Sequence, residues 1–250
     1  MLHKLLLFII IFHLHFTGET QNVGIGTFSP NASALLELKD STRGLLPPRM
    51  TRAQRDQLTP VEGLMIYNTT TRRPNFFNGI EWRNYDETSD VSIGMSYQGG
   101  MIYYLLLPGD SGYNPNQTHG LISSLSDQNQ SIQWYNGTYV ITGASGSVIG
   151  TGRQNTLNII SAQGSGSYAA KVCADLSLGG YTDWYLPSKN ELIQLLYKRN
   201  LVGGFAAGDY WSSSELDIQR ASYIEFSTGS GSGINNYKQL THYLRAIRSF

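Results

Sequence analysis

Two stretches of this 250-residue chain hold most of the side chains that could do chemistry. The first is Asp183 to Leu196, DWYLPSKNELIQLL. Glu191 stands three residues after Ser188, which is the spacing of a capping box. In that motif the Ser188 hydroxyl accepts the Glu191 backbone N–H and the Glu191 carboxylate accepts the Ser188 N–H. The spacing favours a cap, and a catalytic acid is the alternative. The second stretch is Tyr210 to Glu215, YWSSSE. Trp211 reads as core. Ser213 and Glu215 either hold loops, with Glu215 against Arg245 or Arg248, or face a ligand. On the ligand reading Asp217, Tyr223, Asn235, Asn236 and Tyr237 add carboxylate, ring and amide groups, a mixture that suits adaptable binding surfaces. Asp183, Trp184, Pro187, Ser188, Glu191, Trp211, Arg245 and Arg248 are expected to carry the fold.

The other chemistries fare worse. Beyond a leader, only His119 and His242 remain as histidines, and no His, Cys, Asp or Glu pair has helical or knuckle spacing for zinc. Calcium accepts scattered loop oxygens, but no loop has the spacing of an EF-hand. No cofactor is expected other than a calcium ion that no motif supports, for which Asp127, Asp209, Asp217 and Asn side chains are the candidates. In GSGSG from Gly229, glycine and not serine sits at the centre of the elbow. VITGASGSVIGTG imitates a dinucleotide loop, but Ser147 and Ile149 stand where glycines are needed, and Lys171 follows Tyr168 by three residues instead of four. The single cysteine, Cys173, excludes a disulfide framework within the chain and reads as a small core residue.

The elements that must position these groups follow from pattern. Asp183 to Leu186 reads as a short buried strand stopped by Pro187. Leu192, Leu195 and Leu196 then form one apolar helix face, ended by Asn200 and Gly203-Gly204. Helices are expected over 152–163 and 167–176. Strands are expected at Met101 to Leu107, in HGLISSL, in IQWYNG, and in YLRAIRSF at the end of the chain, whose natural partner is MIYYLLL. The segment carrying Gly229, Gly231, Gly233 and Asn235 to Tyr237 reads as a glycine-rich surface loop. Upstream, Thr51 and Gln54 make a second, weaker capping box. Asn78-Gly79 is a strong hairpin signal between NFF and IEWRN.

Composition sets the class. Charged residues are only 14%, against 27 glycines and 16 tyrosines, as in loop-rich extracellular β proteins. Eighteen basic residues balance eighteen acidic ones, so no global field draws in nucleic acid or an anionic membrane. The balance is uneven along the chain. Residues 21–85 carry eight Lys/Arg against five Asp/Glu, and residues 86–250 carry nine against twelve, which suggests a boundary near Tyr85. Residues 1–20 read as a secretory signal with Lys4 before the apolar run Leu5 to Phe12, too short for a permanent span. The expected order is a signal at 1–20, a β-rich stalk or attachment module at 21–85, a linker at 86–96 and a head at 97–250. A module of that size buries little surface. Its aromatics, Tyr67, Phe76, Phe77 and Trp82, therefore need a partner, either the head or further copies.

Two resemblances sharpen this order. VGIGT, GLLPPRMT, AQRD and GLMIYNTTT leading to FFNGIEW resemble a repeated pattern in surface and tail-fibre-like proteins of Gram-negative bacteria. This implies a stalk or attachment module and, with its small core, a homo-oligomer formed through residues 21–85, for which a homotrimer is expected. YQGGMIYYL, HGLIS, IQWYNG, SYAAKVCADL, GGYTDWYLPSKNEL, YWSSSE and YLRAIRSF together resemble the C-terminal domain of collagen-like bacterial adhesins. That implies an α+β fold of the C-type-lectin kind, with two helices on a small antiparallel sheet, paired terminal strands and a ligand-bearing loop region. The implied role is a secreted or cell-surface, non-enzymatic binding protein for an extracellular glycan or surface protein. The alternatives are a purely structural fibre or matrix component and a secreted hydrolase. The chain lacks the calcium motifs of sugar-binding C-type lectins and the paired cysteines of the sulfatase-activating branch.

Overall fold

Reciprocal side-chain caps start the two helices whose beginnings the sequence marks. In the computed structural model, Gln54 donates its N–H to the Thr51 hydroxyl at 3.3 Å and returns its amide oxygen to the Thr51 N–H at 2.9 Å. Ser188 and Glu191 do the same at the head of helix Lys189–Tyr197. The structure describes residues 22–86, 88–229 and 233–250, without the side chains of 233 and 234. The expected signal at 1–20 and the loop residue Gly231 lie outside the described residues.

The chain divides into two compact units, one ending at Pro48 and one running from Arg49 to Phe250. In the first, strands Val23–Ile25 and Leu36–Leu38 pair in parallel. Asp40 accepts the N–H groups of Thr42 and Arg43 and closes a turn after the second strand. No residue from 22 to 48 is buried.

The second unit opens with a four-stranded sheet in the order Arg49–Met50, Met65–Asn68, Arg73–Phe77, Trp82–Asn84. Asn78 and Gly79 make the expected reversal. Gly79 has a φ of +91°, and the Asn78 side chain accepts the N–H groups of Ile80 and Glu81. Packed on this sheet is a polar knot. Arg52 and Arg55 both pair with buried Asp90, and Asn75 donates to Asn84 while accepting from Asn68 and Arg55. Asp90 belongs to the 86–96 segment expected as a linker, and its burial pins that segment against helix Arg52–Arg55.

Two further sheets and the remaining helices make the mixed α+β architecture. A four-stranded sheet runs Ile247–Ser249, Gly120–Ser123, Gly100–Leu105, Ser96–Tyr97. A five-stranded sheet runs Asn129–Gln133, Thr241–Leu244, Asp209–Glu215, Arg220–Glu225, Gly233–Tyr237. Helices Gly152–Gln163, Ala169–Ala174 and Lys189–Tyr197 bury Ile159, Cys173, Leu192, Leu195 and Leu196. Trp134, Trp184 and Trp211 are all within 2% of full burial and anchor the core.

Three expectations need correction. The terminal strands share a sheet but do not pair, because Gly120–Ser123 lies between them and bonds to both. YLRAIRSF is two strands, not one. Leu244 ends in the five-stranded sheet, and Ile247 begins in the four-stranded one. Between them Arg245 turns inward to Asp127 and to the carbonyls of Ser124, Gly203 and Gly204, which carries the chain across. Asp183 to Leu186 is buried from Trp184 on, yet it forms no strand and joins a sheet through a single bridge from Tyr185 to Ile247.

Candidate ligand-binding face

Glu191 is a sealed structural group. Its carboxylate accepts N–H groups from Ser188 at 2.7 Å and Gly150 at 2.8 Å, and the residue is wholly buried. Burial pushes its carboxyl up to about 7, against the pull of those backbone donors. A group enclosed in this way cannot reach a substrate, so the capping role accounts for it.

The strand Asp209–Glu215 is also mostly internal. Trp211 is buried, with its indole N–H donated to Ile132 O at 2.9 Å. Its three serines act as pegs. Ser212 donates to Ser222 O at 2.8 Å and Ser214 to Gly146 O at 2.7 Å, while Ser213 accepts from the Asn155 amide at 3.2 Å. Glu215 pairs neither with Arg245 nor with Arg248. It meets Lys238 at 2.6 Å and accepts the N–H groups of Thr142 at 2.9 Å and Gly143 at 3.1 Å. Arg245 is engaged by Asp127 at 2.7 Å and Arg248 by Asp183 at 2.8 Å. The reason is geometric: Lys238 follows the edge strand Gly233–Tyr237 and is delivered beside Glu215, over the Trp134 ring at 4.6 Å. Ser213 and Glu215 are therefore turned inward and engaged within the fold. Asp217 sits in the next reversal, accepting the N–H groups of Gln219 and Arg220 and pairing with the Arg220 guanidinium at 2.6 Å.

Asn235, Asn236 and Tyr237 lie in a strand, not a loop. Each pairs across to Arg220–Glu225, with Ser222 opposite Asn235, Ala221 opposite Asn236 and Arg220 opposite Tyr237. Alternation then divides them. Asn235 and Tyr237 point to one side, where Asn235 accepts from the Ser222 hydroxyl at 2.8 Å and Tyr237 stands half-exposed near Tyr139. Asn236 points to the other side, which it shares with Tyr223.

That second side gathers a polar aromatic cluster. The Tyr223 and His242 rings stack with centroids 4.7 Å apart, and His242 meets Trp211 edge-on at 4.3 Å. The Asn236 amide nitrogen lies 3.2 Å from His242 Nε2, and Asp209 Oδ2 lies 3.7 Å from Nδ1. Burial lowers the imidazole to about 4, so the ring is neutral at pH 7. An amide nitrogen only donates, so Nε2 accepts and the ring proton sits on Nδ1, facing Asp209. Asp209 is opposite Glu225 in the register; partial burial and that neighbouring charge raise its carboxyl. The result is a half-open face offering two carboxylates, an amide, a phenol ring and a fixed imidazole. Of these, Tyr223 and Asn236 were expected on a ligand face from sequence. The convergence of Asp209, Glu225 and His242 on this face was missed, because they come together through strand register and no local spacing signals it. Among the described residues, no three His, Cys, Asp or Glu side chains converge as metal ligands, and no helix is long and apolar enough to cross a membrane.

Comparison with known proteins bears on both parts of the chain. Residues 24–103 match the phage tail like trimerisation region. No curated protein matches the chain. Among solved structures it is similar to a fimbrial protein from Bacteroides ovatus, at 12% identity and a TM-score of 0.47, over 80% of this chain and 67% of that one. Residues 123–248, just over half of the chain, match the Lcl C-terminal domain, and the chain belongs to this family of collagen-like adhesin C-terminal domains.

Proposed function

We propose that the chain is a secreted or surface-displayed, non-enzymatic adhesin-like protein, held as a homotrimer by its amino-terminal region and recognising its ligand through the head, residues 97–250. The observation that carries this reading is the combination in one chain of a trimerisation region at 24–103 and an Lcl C-terminal domain at 123–248. Three copies of a weakly binding head on one stalk gain avidity without any new contact. The Tyr223–Asn236–His242 face supplies the ligand contacts, and an extracellular glycan or surface protein is the class of ligand its rings and amides suit.

The test is binding of the trimeric chain to glycan and surface-protein arrays, alongside Asn236→Ala. Specific binding that weakens in the variant supports the reading. An assembled chain that binds nothing on either array points to a structural fibre component. Hydrolysis of any arrayed ligand by the purified chain would replace the adhesin reading with a hydrolase.

A further inference from the structure

The amino-terminal unit carries a knob and a groove, and its own chain joins neither to the other. Parallel pairing of Val23–Ile25 with Leu36–Leu38 sets Val23, Ile25, Leu36 and Leu38 on one face, each between 44% and 60% exposed. The turn closed by Asp40 and Arg43 brings Leu45 and Leu46 back toward that face. Together with Ile25 and Leu38 they line a groove of about 470 Å³. Phe28, just beyond the first strand, projects its whole side chain into solvent at 109% exposure and is not among the residues lining the groove.

A two-stranded sheet with no buried residue is not stable by itself in water. Its exposed apolar side chains need a cover from outside the unit. A flat self-complementary face would close as a two-fold dimer. A projecting ring and a separate apolar groove on the same unit instead make a head-to-tail contact, which closes as a ring of copies where the rotation between neighbours closes and otherwise runs on as a filament.

We propose that Phe28 of one copy of the chain fills the Ile25–Leu38–Leu45 groove of the next, around a closed ring of three. The inference rests on the trimeric reading above and adds to it the contact that closes the ring. A second copy is the occupant because, among the described residues, nothing fills the groove and nothing covers Phe28, and both lie within a region matched to trimerisation.

Sedimentation of the chain produced without residues 1–20, at micromolar concentration, tests it. The unsubstituted chain should run as a trimer. Phe28→Ala and Leu45→Asp should each weaken assembly at least about 30-fold, as loss of a central interface anchor does. Both should run as monomers with the near-ultraviolet circular dichroism of the remaining aromatics unchanged. Mixed together, the two variants retain one intact knob and one intact groove, so they should form a one-to-one heterodimer and no ring. As a check that leaves the Phe28 ring and the apolar groove in place, Ser29→Cys beside the knob with Lys39→Cys on the groove rim, in one chain, should give a covalent trimer on oxidation. A trimer that survives Phe28→Ala, or that yields no interchain crosslink, overturns the knob and groove and leaves the trimer standing. An unsubstituted chain that sediments as a monomer overturns both.

Discussion

Lys238 holds its ammonium 2.6 Å from a carboxylate oxygen of Glu215, with the two side chains only 0% and 5% exposed. The ammonium also donates to Ile218 O at 3.0 Å, and the carboxylate accepts Thr142 and Gly143 backbone N–H groups. The pair thus fastens the 140–143 segment to the five-stranded sheet. Removing one partner leaves the other charge buried and unpaired, which costs far more than the pair contributes net. Lys238→Met is expected to destabilise the protein by about 3–5 kcal/mol. Lys238→Met with Glu215→Leu is expected to recover part of that loss, because no bare charge remains. Urea unfolding of the two variants checks this, and a double variant no more stable than the single one would contradict it.

Two buried groups titrate with opposite effect. Glu191 is raised from 4.5 to about 7, so its contribution to stability is fully present below pH 4.5 and lost as pH rises through 7. The shift corresponds to about 3 kcal/mol. His242 is lowered from 6.5 to about 4, so its contribution is present above pH 6.5 and lost as pH falls through 4. Between pH 4.5 and 6.5 the two slopes oppose one another. Urea midpoints across pH 4–8 should therefore show Glu191→Gln with stability rising more steeply with pH than the parent over pH 4.5–7. His242→Gln should fall more steeply with pH than the parent over pH 4–6.5. Parallel profiles for parent and variants would remove both assignments.

The capping boxes were legible because they are local. Ser188 and Glu191, like Thr51 and Gln54, lie three residues apart and need no knowledge of the fold to be paired. The helix face of Leu192, Leu195 and Leu196, the core placement of Trp211 and Cys173, and the Asn78-Gly79 reversal were readable for the same reason. The partners of Glu215, Arg245 and Arg248 were not readable. Each is set by where a distant segment docks, across 23, 118 and 65 residues respectively. The five-stranded sheet inserts Thr241–Leu244 between Asn129–Gln133 and Asp209–Glu215, and this order alone brings His242 to Trp211 and Tyr223. Glycine at 229 and 233 suggested a loop. The strand that follows is held by its ladder to Arg220–Glu225, which overrides the weak propensity of Asn235 and Asn236.

The face and the core beneath it should separate by mutation. Asn236 is half-buried and its contact with His242 lies at the sheet surface, so Asn236→Ala is expected to weaken ligand binding by about 1–2 kcal/mol with little change in melting temperature. Trp211 lies one layer deeper, fully buried with its N–H bonded. Trp211→Ala is expected to destabilise the protein by about 3–5 kcal/mol. Calorimetric melting with a binding titration on the same samples checks both. Unfolding in Asn236→Ala and a stable Trp211→Ala would mean that the surface and core roles have been exchanged.

Gly152 is required by its neighbours rather than by its backbone angles, since its φ lies outside the left-handed region. A Cβ there would stand 2.2 Å from Glu191 Oε2, 2.7 Å from the Ser188 nitrogen and 3.0 Å from Leu186 O. Alanine gains about 1 kcal/mol over glycine in a helix interior, and less in a first turn. Displacing a buried carboxylate and a backbone nitrogen costs about 1–3 kcal/mol or more, so the steric term wins and Gly152→Ala is expected to destabilise. Because the clash falls on the Glu191 cap, the effect should not add to that of Glu191→Ala. Removing the carboxylate clears the closest contact but leaves the Ser188 nitrogen in place, so the double variant should lose less than the two single losses combined. A double-mutant cycle by urea unfolding measures this coupling. Strict additivity would mean that Gly152 and Glu191 act independently, against the 2.2 Å approach that the geometry imposes.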